Sequence, residues 1–489
     1  MNKNVSLLLV GIAIVPFGCT MAPKYARPAA PVPAEWPPGA AYAGIRMATN
    51  ALGAPDVRWQ EFFSDEKLQQ VIGAALTNNR DLRLAALNVE RVRAMYGIQR
   101  AALLPTVNAT GSGSKQRVPG DLSSTGSRQT VERYDVKLGV ASWEIDFFGR
   151  IRSLKDRALE EYLGTEQARR GAQLLLVSSV ANAYLSLAAD RENLRLAETT
   201  LEAQKGAYAL IKRRYDLDLI PELDLYRAQT PMDAARRDVA RYLQQAAQDE
   251  NALSLLVGSP VASELLPTEL GLVRPPREIA PGISSEVLLR RPDVLQAEDS
   301  LRAAYADIGA ARATFFPRIS LTAAIGTASS DLTGLFKSGS GAWSYTPEIV
   351  MPVFDARTWS AYKAAKVQRE MAVTQYEKAI QNAFREVADA LAVRGTVDQQ
   401  ESAQQSLVKA FAETYRLSNF RYEKGIDSYL SVLDAQRSLF AAQQGLVSLR
   451  LANLASQVTL YSVLGGGWQT EQSPGPTAMS NAPQARRRN

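Results

Sequence analysis

Hydrophobic and polar residues alternate in two short stretches of the chain. In "YDVKLGV", Tyr134, Val136 and Leu138 alternate with polar residues or glycine, and "RISLTAAIG" from Arg318 repeats the pattern. A period of two predicts β-strands with one apolar and one polar face. With the Gly/Ser/Thr-rich stretches between them, the sequence predicts two strands in each half, at about 103–148 and 317–354. Such strands suit a barrel wall between lipid and water, or a soluble sheet with one wet face.

Long helical patterns follow each predicted strand pair. Residues 150–214 contain no proline, and apolar residues recur there every seven positions, from Val180 and Leu187 to Tyr208. This spacing predicts helices that pack along a seam. Long helices are expected at about 150–257 and 356–464, and a 65-residue helix is about 100 Å long.

The chain contains an internal duplication. The segments ending at Pro105 and Pro317 share a pattern and lie 212 residues apart, whereas "VANA" at Val180 and "VADA" at Val387 lie 207 apart. The offset of 207 persists to Gly258 and Gly465. We therefore predict two repeats joined by a proline-rich linker, with boundaries 59–258, 259–283 and 284–465.

Four strands are too few for a closed membrane barrel, which needs at least about eight. Their two free edges would leave backbone N–H and C=O groups unsatisfied in lipid. If the strands span a membrane, several chains must complete one barrel. The strand count does not choose between two, three and four chains.

The ends of the chain predict export and anchoring. Residues 1–18 carry Lys3 followed by a short apolar run, as in a secretory signal peptide, and Cys19 follows directly. We expect lipidation at Cys19, an extended arm over 19–58 and a disordered tail over 466–489.

Composition argues against an enzyme. The chain contains no histidine and only one cysteine, so His-based catalysis and a Cys-cluster metal site are excluded. No phosphate-binding glycine motif follows a predicted strand. We expect no metal and no cofactor other than the covalent lipid. The formal charge of +6 gives no reason to expect a nucleic-acid partner.

Several longer segments resemble one known family. "SWEIDFFGRIRSLKD", "AARATFFPRISLTA", "FRYEKGIDSYLSVLDAQRSLFAAQ" and "YSVLGGGW" are similar to outer membrane factors of the TolC superfamily, and especially to the OprM-type efflux lipoproteins. The resemblance covers residues 19–468. It implies an α+β membrane channel: a homotrimeric twelve-stranded β-barrel continuous with a twelve-helix periplasmic α-barrel.

The resemblance also implies a function. Such a chain would be the lipid-anchored outer-membrane exit channel of a tripartite, RND-type multidrug efflux pump, extending into the periplasm. Its partners would be a periplasmic adaptor, an inner-membrane RND transporter and outer-membrane lipids.

Two helical hairpin turns would form the gated periplasmic end. By resemblance, Asp434 lines the constriction with Leu430 one helical turn before it, and Tyr422 and Asp224 join the gate. Arg421 and Arg437 are candidate ion-pair partners. Gly425 fits the second turn, whereas Asp218 stands in the first turn where the family usually has glycine. Pro231 is expected to kink the following helix or to free a carbonyl.

Three alternatives remain open at this stage. Within the same class, the chain could be an exit duct for protein secretion or for metal efflux. From another class, it could be a periplasmic coiled-coil adaptor or scaffold. An adaptor, however, would need a lipoyl-like β-domain between its helices, and the sequence shows none.

Overall fold

A computed structural model describes residues 20–42, 54–279 and 284–467. The predicted signal peptide, Cys19 and nearly all of the predicted tail lie outside the described residues. The chain forms two compact units, each assembled from separate parts of the sequence. Among the described residues, the first unit contains 20–29, 88–166 and 296–377, and the second contains the others.

The first unit contains a four-stranded antiparallel sheet in the order β1-β2-β3-β4. The strands are β1 (Val107–Val118), β2 (Gln129–Glu144), β3 (Arg318–Ser329) and β4 (Gly341–Val350). The prediction of four strands per chain is confirmed, and β2 pairs with β3. Within the described chain, β1 and β4 are each paired along one edge only.

The two faces of the sheet differ in polarity. On one face, Leu138 lies opposite Ile325, which lies opposite Trp343, and these side chains are 54%, 67% and 80% exposed. On the other face, Asp135 lies 3.1 Å from Lys137 Nζ and accepts a 3.0 Å hydrogen bond from Ser112 Oγ. The alternation in the sequence therefore becomes one apolar and one polar surface.

Two glycines allow β2 and β3 to approach each other closely. A Cβ atom on Gly139 would lie 2.4 Å from the Ala323 carbonyl oxygen, and one on Gly326 would lie 2.1 Å from the Val136 carbonyl oxygen. Both obstacles are backbone atoms, so no side-chain rotation relieves them. These two positions require glycine.

The described chain contains eight α-helices. A short pair, α1 (Trp59–Phe62) and α2 (Glu66–Asn78), precedes the longer ones. The others are α3 (Arg80–Ala101), α4 (Arg150–Asp216), α5 (Glu222–Val257), α6 (Pro292–Ala313), α7 (Ala356–Glu423) and α8 (Tyr429–Val463). Pro231 lies inside α5, which continues on both sides of it, so the proline does not end the helix.

Aromatic residues and the α4 seam build the core of the second unit. The rings of Phe62 and Tyr461 stack 4.0 Å apart, and the Tyr461 hydroxyl donates a 2.6 Å hydrogen bond to the Val57 carbonyl. Val180 and Leu187, two members of the predicted seven-residue repeat, are completely buried. One segment of α4 is long and apolar enough to cross a membrane, yet more than half of it is buried inside the chain, as expected for a core helix.

A buried carboxylate ties the N-terminal arm to the first unit. Glu298 on α6 accepts a 2.9 Å hydrogen bond from the Tyr25 hydroxyl and forms a two-point contact with the Arg27 guanidinium. Arg302 donates a further 2.8 Å bond to Glu298 from the next turn of α6. The hydrogen bonds and the opposite charges lower the pKa of Glu298, against the opposing effect of its burial. The arm is thus bound at this point by charge-assisted hydrogen bonds.

Candidate functional site at the helical hairpin turns

The first hairpin turn joins α4 to α5 through a left-handed residue. Asp218 has φ +58°, and its N–H donates a 2.8 Å hydrogen bond to the Tyr215 carbonyl. The next N–H, of Leu219, donates a 2.9 Å bond to the Arg214 carbonyl. This pair of bonds is a Schellman motif, in which a left-handed residue ends the helix. Aspartate tolerates this conformation better than most residues with a side chain.

The second turn, between α7 and α8, has the same geometry. Gly425 has φ +71°, and its N–H donates a 2.9 Å bond to the Tyr422 carbonyl. The N–H of Ile426 donates a 2.9 Å bond to the Arg421 carbonyl. The first turn therefore has aspartate where the second has glycine, but the backbone follows the same path in both turns.

One face of α8 carries three of the predicted gate residues, Leu430, Asp434 and Arg437, and we call it the gate face. Leu430 is 47% exposed, and Asp434 and Arg437 are exposed as well. Val432 and Leu433, which lie between them in sequence, are buried within the chain. Among the described residues, neither the Asp434 carboxylate nor the Arg437 guanidinium has a partner, so the chain leaves both charges available.

Arg421 pairs within its own turn. Its Nε lies 2.6 Å from Asp427 Oδ2, and a second nitrogen donates to the other carboxylate oxygen at 3.2 Å. This hydrogen-bonded pair raises the pKa of Arg421 and lowers that of Asp427. The sequence does not single out Asp427 as the partner of Arg421, because its position six residues after Arg421 gives no helical signal.

Tyr422 connects the two hairpins. Its hydroxyl accepts a 3.0 Å hydrogen bond from Arg214 Nη1 at the end of α4. Its ring centroid lies 5.1 Å from that of Tyr429. Burial, with smaller effects from Tyr422 and Tyr415, raises the pKa of Tyr429 to about 12. Arg214 was not among the predicted gate residues. The duplication could have identified it, since Arg214 is equivalent to Arg421 at the offset of 207.

Asp224 lies near the start of α5 and pairs with Arg227 on the same helix at 3.4 Å. Within the described chain it forms no hydrogen bond or ion pair with Tyr422 or with the gate face. The predicted gate residues thus form four separate groups: the gate face, the Arg421–Asp427 turn, the Tyr422–Arg214 bond and the Asp224–Arg227 pair. Exposed apolar side chains surround both turns, namely Leu217, Leu219, Leu223 and Ile426.

Neither turn has the features of a catalytic or metal centre. Throughout the described residues, no three acidic, histidine or cysteine side chains are grouped so that they could hold a metal ion. The turns instead offer ion pairs, hydrogen bonds and apolar surface at the ends of long helices. Such groups suit reversible contacts between helical hairpins, of one chain or of several.

Comparisons with known proteins agree on one family. The family model for outer membrane efflux proteins matches residues 71–259 and 283–466. The probable efflux pump outer membrane protein TtgC of Pseudomonas putida is 47% identical over 472 residues, covering 95% of this chain and 97% of the relative.

Solved structures show the same similarity. A membrane protein from Pseudomonas aeruginosa has a TM-score of 0.86 at 41% identity, covering 92% of this chain and 98% of that one. The open-state MtrE outer membrane channel of Neisseria gonorrhoeae has a TM-score of 0.83 at 35% identity, covering 92% and 99%.

These similarities confirm the predicted fold class and the outer-membrane location. Three chains with four strands each complete a twelve-stranded β-barrel that continues into an α-helical barrel reaching into the periplasm. The repeats, the open-edged sheet and the hairpin turns all have their place in this architecture, and the chain belongs to the outer membrane efflux protein family.

Proposed function

We propose that three copies of this chain form the passive exit channel of an RND-type tripartite pump, and that an inner-membrane transporter supplies the energy. The observation that carries this proposal is the sheet, whose apolar face is exposed and whose edges at β1 and β4 are unpaired in the single chain. Lipid provides no hydrogen bonds for such edges, so each edge requires a neighbouring chain. Family membership leaves no support for the alternative of a periplasmic scaffold.

The proposed substrates are small apolar toxicants and antibiotics. Relatives of this chain are named as toluene, solvent and antibiotic efflux proteins, at 45–47% identity. We infer that the transporter selects the substrate, because a wide water-filled duct discriminates weakly. The test is deletion of the gene, followed by complementation and measurement of toluene tolerance and antibiotic susceptibility. Failure of the intact gene to restore tolerance while the pump is expressed would refute the proposal.

We propose that the hairpin turns dock a periplasmic adaptor through the exposed apolar residues around them. Leu217 and Leu219 of the first turn and Ile426 of the second project from the ends of the helices. Exposed apolar groups in such a cluster are typical of protein interaction sites. A photocrosslinker at Leu219 should capture the adaptor in cells, whereas one at Glu198, exposed on α4, should not. Equal capture at the two positions would contradict docking at the turns.

We propose that the gate face closes the periplasmic end. Three copies of Leu430 around one axis would form an apolar collar, and three copies of Asp434 would form a ring of negative charge. Arg437, which has no partner within the described chain, would pair with a carboxylate of the neighbouring subunit. Opening would then separate the hairpins by a hinge or shear movement.

The gate proposal has a matched control in the first repeat. Leu210 and Glu198 are exposed on α4 and belong to none of the predicted gate groups. Leu430→Ala with Asp434→Ala should raise single-channel conductance and admit large antibiotics into cells. Leu210→Ala with Glu198→Ala should change both much less. A gate-face variant that assembles as a trimer and conducts like the parent would refute the assignment.

We propose that Cys19 carries the lipid anchor. Thr20, the first described residue, lies beside Ser153, and the two hydroxyl oxygens are 3.3 Å apart. Ser153 lies in the first turn of α4, and α4 begins six residues after β2 ends. An acyl chain on the preceding residue would therefore start beside the end of the membrane-spanning sheet. Mass spectrometry should find a mature protein that begins at acylated Cys19. Cys19→Ala should weaken anchoring and retain channel activity, because the barrel itself spans the membrane.

A further inference from the structure

Two carboxyl groups face each other inside the first hairpin. Asp190 on α4 and Asp249 on α5 lie within hydrogen-bonding reach of each other. Asp190 is 26 residues from the end of α4 at Asp216, a distance of about 40 Å along the helix. The pair is therefore far from the turn and belongs to none of the predicted gate groups.

Both carboxyl groups of the pair are half-buried, and polar atoms beside them are incompletely satisfied. Asp249 Oδ2 is buried without a partner. The Asn193 side chain, only 8% exposed, lowers the pKa of Asp190, and its own Oδ1 is also buried without a partner. Two adjacent carboxylates cannot both remain ionised at low cost in such a place, so the arrangement favours one shared proton.

The surrounding charges are already engaged. Arg241 acts on Asp190 from α5, but it also lies 3.7 Å from Asp238 and 4.5 Å from the centre of the Tyr242 ring. Tyr242 in turn accepts a 2.7 Å hydrogen bond from Gln444 of α8. The other charged groups nearby form pairs: Arg191 with Glu250, Arg450 with Glu192, Arg195 with Glu269, and Arg237 with Asp238.

The second repeat packs the equivalent positions without charge. The offset of 207 relates Asp190 to Val397 and Asp249 to Ser456, and both of those residues are buried. Ser456 satisfies its hydroxyl locally by donating a 2.7 Å bond to the Asn453 carbonyl. The fold therefore builds this contact between two helices from neutral residues, and packing alone does not require the carboxyl pair.

We propose that a proton shared by Asp190 and Asp249 holds α5 against α4, and that loss of this proton loosens the first hairpin and favours the open channel. The inference rests on the proposed function as a gated duct. Ionisation of both groups places like charges on adjacent helices, and Arg241, which also pairs with Asp238, offsets their repulsion only in part. Separation of α4 and α5 at the carboxyl pair is transmitted to the distant turn because each helix is continuous.

The pH range follows from the titration of the pair. Burial, followed by the charge and hydrogen bond of Asp249, raises the pKa of Asp190 to about 6. Because the pKa is raised in the packed state, the contact is complete below the ordinary pKa of aspartate and is lost as pH rises through about 6. A shift of this size limits the change in the open–closed equilibrium to about a hundredfold.

The experiment measures the open probability of single channels in planar bilayers between about pH 5 and pH 8. The parent should open more often as pH rises. Asp190→Asn and Asp249→Asn should abolish this rise, and so should Asp190→Val with Asp249→Ser, which copies the second repeat. Glu198→Gln, an exposed carboxylate on α4, should retain the rise seen in the parent.

Two results of the conductance experiment would overturn the inference: a parent channel that is insensitive to pH, or a pH response that persists in the neutral variants. A chain that forms no channel at all would instead refute the proposed function.

Hydrogen exchange of detergent-solubilised trimers gives a readout that is independent of conductance. After correction for intrinsic rates, amides of α5 near Asp249 should exchange faster above pH 6 in the parent and not in Asp190→Asn. Equal protection on both sides of that pH would likewise count against the shared proton.

Discussion

The left-handed backbone of Gly425 at the second hairpin turn predicts the cost of adding a side chain there. Gly425 has φ +71°, and a Cβ atom added there would find nothing within 4 Å. The cost of Gly425→Ala is therefore purely conformational, about 1–2 kcal/mol for an L-residue in the left-handed region. The N–H of Ile426, which bonds to the Arg421 carbonyl at 2.9 Å, reports directly on the turn.

Hydrogen exchange measures this cost locally. A loss of about 1.4 kcal/mol corresponds to tenfold faster opening of the turn, so the Ile426 amide should exchange roughly ten times faster in Gly425→Ala. The matched control is Gly206→Ala in the interior of α4, where an added Cβ also has open space and φ is not in the left-handed region. There alanine should stabilise the helix by about 0.5–1 kcal/mol and slow local exchange.

The opposite signs of the two substitutions are the test. Unchanged exchange at Ile426 in Gly425→Ala would mean that the turn does not hold a left-handed residue in solution. Faster exchange in both variants would point to a general intolerance of side chains along these helices, and the backbone argument would fail.

Three further substitutions test other parts of the structure. Glu298→Gln should lower the free energy of unfolding of the trimer by about 1–3 kcal/mol, because it removes the buried charge to which Tyr25, Arg27 and Arg302 donate hydrogen bonds, as melting curves would reveal. Gly139→Ala should prevent detergent-stable trimers on gels, because its Cβ would lie 2.4 Å from the Ala323 carbonyl oxygen. Tyr422→Phe removes the acceptor for Arg214 and should speed hydrogen exchange at the end of α4, whereas normal protection there would exclude a role for this hydrogen bond.

Periodic patterns predicted the strands and the long helices because their cause is local. A period of two along residues 134–140 places side chains on alternate faces whatever the partner strand, and the structure confirms the polar and apolar faces. The seven-residue spacing at Val180 and Leu187 likewise becomes a buried seam. The register of β2 and β3 shifts between Val140 and Trp143, where Ser142 has φ +49°. No periodic pattern in the sequence predicts this shift.

The partners of the gate residues could not be predicted in the same way. The bond between Arg214 and Tyr422 joins residues 208 positions apart, and only the packing of two hairpins brings them together. The Arg421–Asp427 pair crosses a turn, where helical spacing rules do not apply. The resemblance named the gate residues as a set, whereas their grouping depends on which face of each helix the chain buries.

The unpaired edges of the sheet have a consequence for biogenesis. A single chain inserted in the membrane would expose the backbone of β1 and β4 to lipid, so insertion and trimer assembly must occur together. The concentration of folded monomer at the membrane then becomes a kinetic control point, and slow assembly exposes chains to proteolysis. A subunit with one damaged edge would also be incorporated beside intact subunits and leave the ring open. Such a mutant allele should therefore be dominant over the intact gene.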